Sequence, residues 1–396
     1  MLKWIRNIGP GTLVAAAFIG PGTVTVCTQA GARFGYSLLW AMGISITATI
    51  VLQEMAARIG LITQKGLAAI IQEQIQHPIL RKLLIGLILG AIVVGNAAYE
   101  AGNISGAALG MNLWGTHYAS FYPLVIGSIA GGLLYLGNYK ILERSLIALV
   151  VFMSAAFLLT AFSTQPHFSE IMQGMFVPKL PENSLLVVIG LIGTTVVPYN
   201  LFLHAALVKE RWQGKDDLKH VRKDMILSLL LGGLVSMSII IAAAATPQAN
   251  IANGLDLAES LEPLMGPYAQ YFLGLGLCAA GITSAITAPL AAAYVARSCL
   301  GWKNSLKDPK FRTVWATILV LGVLVSSWGL KPIKVITFAQ VANGLLLPIM
   351  AVLILWIVNK TSLLGRYKNT AWQNGIAVAI VMITILLGVK GILRVF

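Results

Sequence analysis

The sequence predicts an all-α polytopic membrane protein built from two related halves. Hydrophobic residues make up 57% of the 396 residues and charged residues only 11%, whereas a soluble domain carries about 25% charged residues. Apolar runs of about 20 residues, each long enough to cross a bilayer as a helix, recur along the whole chain. Glycine and proline interrupt two of these runs, five runs apart, and this pairing predicts the two halves.

Eleven membrane spans account for these runs. They cover roughly residues 9–31, 36–62, 81–113, 119–137, 141–162, 185–208, 224–246, 268–298, 313–330, 334–358 and 371–392. If the N-terminus is inside, the inner segments hold 22 of the 28 Lys and Arg residues and the outer segments hold 6. The positive-inside rule describes this bias. We therefore expect an integral protein of the inner (plasma) membrane, with a cytoplasmic N-terminus and a C-terminus outside.

Composition and motifs exclude several functional classes. The net charge of +14 lies in the inner loops, so it indicates a lipid bilayer rather than a nucleic acid as the partner. Cys27, Cys278 and Cys299 are isolated, which argues against disulfides and against a thiolate metal site. The sequence contains no P-loop, so we expect no ATP-driven transport. We expect no cofactor, no enzymatic activity and no cleavable signal peptide.

Two spans carry helix breakers at matching positions. Span one contains Gly20-Pro21-Gly22, and span six contains Pro198 near its middle. Proline removes a backbone donor, and unpaired backbone groups at this depth are tolerated only where they line a cavity or are buried in protein. We interpret residues of about 9–162 and 185–358 as inverted repeats, followed by an extra helix of about 371–392. The alternative is a pair of ordinary proline kinks.

Several stretches of the chain resemble the Nramp (SLC11) family of proton-coupled divalent-metal transporters. They are "GPGTLVAAAFIGPGTVTVCTQAGARFGYSLLW", "LQEMAARIGLITQKGLA", "GTTVVPYNLFLHAALVKER", "GLCAAGITSAITAPLAA" and "AQVANGLLLPI". The resemblance extends over nearly the whole chain, in matching order. It implies a single transmembrane transporter domain over residues 1–396 with a LeuT-type fold. In this fold the unwound parts of spans one and six hold a small transported substrate.

The sequence departs from the family at the expected metal site. The family's Asp-Pro-Gly-Asn motif is Gly20-Pro21-Gly22-Thr23 here, and its Met-Pro-His-Asn motif is Val197-Pro198-Tyr199-Asn200. The carboxylate and the thioether are therefore both missing, so the chain has no classical metal-ligand set and resembles a divergent, Nramp-related clade. A thioether selects soft metals, and a carboxylate balances the charge of a desolvated cation.

The residues that remain around the breaks are small or neutral. The predicted substrate-binding residues are Gly20, Gly22, Thr23, Val197, Tyr199, Asn200, Gln340 and Asn343. Thr25, Thr194 and Thr195 add hydroxyl groups, and we expect those of Thr25 and Thr194 to bond back to their own helices. Such a site suits a hard cation that keeps its waters, a cation complexed with an organic anion, or an organic solute without metal.

A few ionisable residues lie deep in the spans and are functional candidates. Glu100 stands where the family has an aspartate, and Asn103 stands where it has a glutamate. His204, on the helical face of Asn200, matches a family histidine and has a reference pKa of about 6.5. The resemblance implies a proton pathway through Glu100, Asn103 and His204. Glu54 precedes Arg58 by four residues, so an ion pair is its simpler interpretation.

Three functions are compatible with this pattern. The first is a secondary active transporter that works by alternating access and moves a hard divalent cation of the Mg/Mn type by symport, hydrated or with a small organic anion. The second is a transporter of a small organic solute, such as an organic acid or amino acid, without metal. The third is a receptor-like or channel-like derivative. Retention of both breaks, Glu100 and His204 argues against the third.

Overall fold

The computed structural model describes residues 19–137, 140–212, 214–248, 250–302 and 308–395. Secondary structure in these ranges is entirely helical. The α-helices in chain order are α1 Pro21–Phe34, α2 Leu39–Thr63, α3 Leu67–Gln74, α4 Pro78–Asn112, α5 Tyr122–Leu136, α6 Lys140–Ser163, α7 Phe168–Phe176, α8 Leu185–Thr195, α9 Pro198–Arg211, α10 Leu218–Ala244, α11 Gly254–Ala258, α12 Glu262–Met265, α13 Ala269–Leu300, α14 Pro309–Ser326, α15 Pro332–Val358, α16 Thr361–Leu364 and α17 Ala371–Val395. Short 3₁₀ turns join several of them.

Within the described ranges, nine segments are long and apolar enough to cross a membrane. One of them, Pro21–Thr63, covers the second half of predicted span one together with span two. A bent pair, Ile147–Ser163 with Phe168–Phe176, raises the number to ten. The first half of span one lies outside the described residues. The prediction of an all-α polytopic membrane protein is confirmed.

Proline marks the first turn of many of these helices. Pro21, Pro78, Pro198, Pro309 and Pro332 each start a helix, a position where the missing N–H has no intrahelical acceptor to lose. A side chain caps some of these helices at the N-terminus. For example, Asp308 accepts a hydrogen bond from the Lys310 amide at 2.8 Å. The starts at Pro21 and Pro198 lie in the protein interior and have no such side-chain cap.

The predicted break in span six is present. Helix α8 ends at Thr195 and α9 starts at Pro198, so only Val196 and Val197 are non-helical. Val197 has φ −81° and ψ 120°, because the ring of a following proline disfavours helical backbone. In span one Gly20 is extended and α1 starts at Pro21. The helix expected before Gly20 lies outside the described residues.

Helices α4, α13 and α15 form the centre of the bundle. Helix α4 packs along α13, α14 and α15, while α1 packs on α10 and α8 packs on α15. Glycines permit the closest of these contacts, since a Cβ at Gly31, Gly60 or Gly193 would overlap with Ile240, Ala205 or Gln340 backbone respectively. Small residues of this kind let membrane helices approach backbone to backbone. As a result, the N-terminal ends of α1 and α9, each of which begins with a proline, lie inside the bundle.

Candidate functional site

The N-terminal end of α1 lies beside the break in span six. Thr23 Oγ1 and Thr194 Oγ1 are 2.8 Å apart and share a hydrogen bond between α1 and α8. Both threonines are fully buried. The residues that the sequence places at the two breaks are thus neighbours, although 171 positions separate these two in the chain.

Gly20 leaves space at this junction, and its backbone conformation does not require a glycine. Its φ of −111° and ψ of −176° belong to extended backbone, which any residue adopts. A Cβ at Gly20 would lie 3.1 Å from Ser284 Oγ of α13 and within 4 Å of no other atom in the described ranges. Among the described residues, a larger side chain would therefore meet only Ser284, whose hydroxyl would have to shift slightly.

Gly22 is in much tighter surroundings. A Cβ at Gly22 would overlap with the side-chain amide of Gln340, which lies across the first turn of α1. On another side Gly106 of α4 contacts Pro21 so closely that a Cβ there would overlap with the proline ring. Helix α1 is therefore clamped between α15 and α4 at its first turn.

The second break contributes Val197, Tyr199 and Asn200. Val197 is fully buried, and its C=O accepts a hydrogen bond from the Asn200 N–H at 3.1 Å. The Tyr199 ring packs edge-on against Tyr99 of α4, with ring centroids 5.5 Å apart. The start of α9 is thereby held against α4, the helix that also carries Glu100.

Several neutral polar atoms of this region have no hydrogen-bond partner among the described residues. They include Tyr199 Oη, Asn200 Oδ1, Ser284 Oγ, Gln340 Oε1 and Asn343 Nδ2. These five residues are at most 1% exposed. A buried polar atom without a partner costs about 1–3 kcal/mol, so each one calls for an explanation. A polar ligand or its water shell would satisfy them.

Glu100 is completely buried in α4. Asn103 Nδ2 donates to Glu100 Oε2 at 3.3 Å, whereas Oε1 has no partner in the described part of the chain. Gly322 of α14 lies against the Glu100 side chain. The ion pairs identified among the described residues do not include Glu100. Glu100 is therefore a carboxyl group in the membrane interior without a described counter-charge.

His204 lies one turn beyond Asn200 on α9 and is fully buried. Its Nδ1 is 2.8 Å from Gln53 Oε1 of α2, so an Nδ1–H that donates to this oxygen leaves Nε2 as an acceptor. Nε2 has no partner within the described ranges. No hydrogen bond between described residues joins His204 to Glu100.

Two expectations about single side chains have clear outcomes. The ion pair predicted for Glu54 is confirmed, since its carboxylate lies 2.8 Å from Arg58 and 2.7 Å from Arg222. The expected back-bonding of Thr25 and Thr194 is wrong. Thr194 bonds to Thr23 across the helix contact, and Thr25 Oγ1 has no partner among the described residues.

Three further residues were not predicted from the sequence. They are Ser284 beside Gly20, Tyr99 against Tyr199, and Gln53 bonded to His204. Each is a polar residue in an apolar span, which is a weak signal of function. Which neighbour each side chain contacts depends on how its helix is rotated in the bundle. A single sequence does not contain that information.

The described residues of the site do not form a conventional metal-ligand set. Among the described residues, no group of three or more His, Cys, Asp or Glu side chains lies close enough to hold a metal ion. The groups present are amides, hydroxyls and the starts of two helices.

Comparisons with known proteins place the chain among transporters. The Nramp family model, described as natural resistance-associated macrophage protein-like, matches residues 11–394. A divalent metal cation transporter, MntH of Bacillus subtilis, is 27% identical over 395 residues, which cover 96% of this chain and 90% of MntH. The protein of the same name from Verminephrobacter eiseniae is 26% identical over 91% of this chain and 83% of its own length.

Solved structures match the whole bundle. The manganese transporter of Eremococcus coleocola superposes with a TM-score of 0.80 at 22% identity, covering 99% of this chain and 88% of that one. MhsT, solved with L-phenylalanine, superposes with a TM-score of 0.60 at 17% identity over 96% of this chain and 98% of its own. At these identities the likeness concerns the fold alone, and it confirms the predicted LeuT-type fold.

Proposed function

The chain belongs to the Nramp family of transporters, and on that basis we propose that it is a secondary active transporter of a hard divalent cation, Mg²⁺ or Mn²⁺. The relatives named as divalent metal cation transporters match nearly its full length, which supports a cation as cargo. A transporter also accounts for buried polar groups at the centre of an apolar bundle.

The proposed choice of cation is supported by one observation: the side chains around the two helix breaks are neutral. Gly20 and Val197 supply no carboxylate and no thioether, whereas Asn200 and Gln340 supply amide oxygens without described partners. Mg²⁺ gives up its waters reluctantly and prefers oxygen ligands. We therefore assign to this site a cation that keeps part of its hydration shell or brings an organic anion with it.

Alternating access between the two inverted repeats is part of this proposal. Toward the side predicted to be outside, Gln29 of α1 and Thr337 of α15 are joined at 3.3 Å. Toward the inner side, Glu54 of α2 pairs with Arg222 of α10. A transporter that exposes its site to each side in turn must break contacts of these two kinds alternately.

Proton coupling is the second part of the proposal, with Glu100, Asn103 and His204 as its pathway. Support comes from the complete burial of both ionisable side chains and from the atoms on each that have no described partner. Ionisable residues at such depth mark proton routes in many transporters.

A second candidate function is transport of a small organic solute without metal. The specific observation in its favour is the absence of a metal-ligand group among the described residues. The two helix starts at the breaks favour a carboxylate group on such a solute.

Uptake by proteoliposomes decides between these functions. The purified full-length chain is offered Mn²⁺, Mg²⁺ and small carboxylates, singly and together, with protein-free liposomes as the control. We expect cation uptake that falls about tenfold in Asn200→Leu, which keeps the size but loses the amide oxygen. Equal carboxylate uptake in the presence of a chelator, without any cation movement, would contradict the cation proposal.

A further inference from the structure

We propose that the N-terminal end of α1, together with the Ser284 hydroxyl, binds a carboxylate group of a small organic acid that enters with the cation. This subsite rests on the proposed function, because it uses the same breaks. It adds Ser284 to the site and assigns the carboxylate to one place within it.

Helix α1 presents its positive end inside the protein. Its first intrahelical bond runs from the Val24 N–H to the Gly20 C=O at 3.2 Å, so the Gly22 N–H comes before the first intrahelical donor and has no acceptor within α1. Gly20 has no side chain that could cap the helix, and the first turn contains no acidic residue. The end of a helix of this length carries about half a positive charge and attracts anions.

The Ser284 side chain is aimed at this helix end. The neighbouring hydroxyls of α13 bond back to their own helix, Thr283 to the Ala279 C=O at 2.7 Å and Thr287 to the Thr283 C=O at 2.9 Å. Ser284 Oγ makes no such bond and has no partner among the described residues. It lies 3.1 Å from the position of a Cβ on Gly20, and the residue is 1% exposed. A buried hydroxyl in this setting is available to donate to a ligand.

The space beside Gly20 suits a carboxylate in particular. The backbone at Gly20 is extended, a conformation that any residue adopts. The glycine is therefore not needed for the backbone, and its effect is to leave space where a side chain would lie. The resemblance to the Nramp family puts an aspartate at this position. A carboxylate that arrives with the cargo would occupy the place of that side chain, accept from the Gly22 N–H and the Ser284 O–H, and balance the charge of the cation.

Three of the remaining unpartnered groups divide into acceptors and a donor in a way that fits such a complex. Asn200 Oδ1 and Gln340 Oε1 are acceptors, which suit a cation or the water around it, and Asn343 Nδ2 is a donor, which suits an anion. A neutral pair of cation and carboxylate also loses less solvation energy in a buried site than a bare divalent ion does.

Uptake of radioactive Mn²⁺ by proteoliposomes tests the subsite, with citrate, malonate, inorganic phosphate or chloride as the anion. We expect citrate or malonate to stimulate uptake by the unaltered chain, and phosphate and chloride to have no such effect. Ser284→Ala should raise the carboxylate concentration for half-maximal uptake about tenfold, the effect of one lost hydrogen bond to a charged group. Thr283→Ala removes the adjacent hydroxyl, which bonds to its own helix, and should leave this concentration unchanged.

Gly20→Asp provides the complementary test. The new side chain occupies the proposed subsite, so Mn²⁺ uptake should become independent of added carboxylate. Calorimetry on the purified protein measures carboxylate binding directly, in the presence of Mn²⁺, for the same four proteins.

The failures of the two proposals are distinguishable. Mn²⁺ uptake that does not respond to carboxylate, or that responds equally in Ser284→Ala and Thr283→Ala, overturns the subsite and leaves the cation proposal intact. Stimulation by phosphate equal to that by citrate overturns the assignment to carboxylate. Carboxylate uptake that requires Ser284 but proceeds with chelator present overturns the cation proposal and the joint entry with a cation, and retains only the binding of a carboxylate beside Ser284. Absence of carboxylate binding in calorimetry overturns the subsite.

Discussion

Arg58 and Glu54, one turn apart on α2, form an ion pair at 2.8 Å in which the arginine is only 2% exposed. The same guanidinium donates to Asn369 Oδ1 at 2.6 Å and to the Tyr367 C=O at 2.7 Å. Glu54 in turn accepts from Arg222 of α10. One buried arginine therefore ties the C-terminal half of α2 to the segment before α17, and among the described residues a single carboxylate, that of Glu54, balances its charge.

We expect Glu54→Gln to lower the free energy of unfolding by about 3 kcal/mol, because it leaves the Arg58 charge buried without its partner. The matched control is Glu73→Gln. Glu73 pairs with Lys65 at 2.7 Å, but both side chains are about half exposed, so that loss should stay below about 1 kcal/mol. Thermal unfolding of the detergent-solubilised chain measures both variants. Equal shifts of Tm in the two would contradict the buried ion pair.

Glu100→Gln tests proton coupling. The amide keeps the size of the side chain but does not ionise, so cation uptake should no longer acidify the vesicle interior or respond to an inward proton gradient. A pH-sensitive dye inside proteoliposomes follows the protons while radioactive cation follows transport. Ser105→Ala, which removes a buried hydroxyl of the same helix that bonds to Ser326 and lies outside the proposed pathway, serves as the control and should retain acidification. Unchanged acidification in Glu100→Gln would exclude Glu100 from the pathway.

Restoring both missing ligands should recreate a site for a bare transition metal. We expect Gly20→Asp combined with Val197→Met to raise the affinity for Mn²⁺ or Cd²⁺ at least about tenfold, since a carboxylate supplies charge and a thioether supplies a soft ligand. The control pair, Gly20→Asn with Val197→Leu, has similar volumes without either ligand. Calorimetry measures binding. A folded double variant that gains no affinity over this control would show that the two breaks do not converge on one ion.

The predicted orientation is open to direct labelling. Lys179 and Lys215 are both exposed and lie on opposite sides of the predicted topology. In a Cys278→Ala background, Lys179→Cys should react with a membrane-impermeant maleimide on intact cells, and Lys215→Cys should react only after permeabilisation. The reverse pattern would require the N-terminus to be outside.

Much of the fold could be predicted from the sequence, because a long apolar run indicates each membrane helix and a proline indicates each break. Pro198 placed the interruption of span six to within a residue or two. The ion pair of Glu54 with Arg58 was predictable because both lie on one helix, whereas its pairing with Arg222 joins residues 168 positions apart. Ser284 could not be predicted for the same reason, because its role depends on its contact with Gly20, which is distant in the sequence.

The close backbone contacts of the glycines bear on how the bundle moves. Gly193 fixes α8 against the backbone of Gln340 in α15, while Gly60 fixes α2 against the backbone of Ala205 in α9. Contacts of this kind do not slide without overlap, so in the proposed alternating-access cycle α8 would travel with α15, and α9 would travel with α2. The two helix pairs are joined covalently at Val196 and Val197. Under that proposal, the short stretch that breaks span six is also the hinge between the two helix pairs.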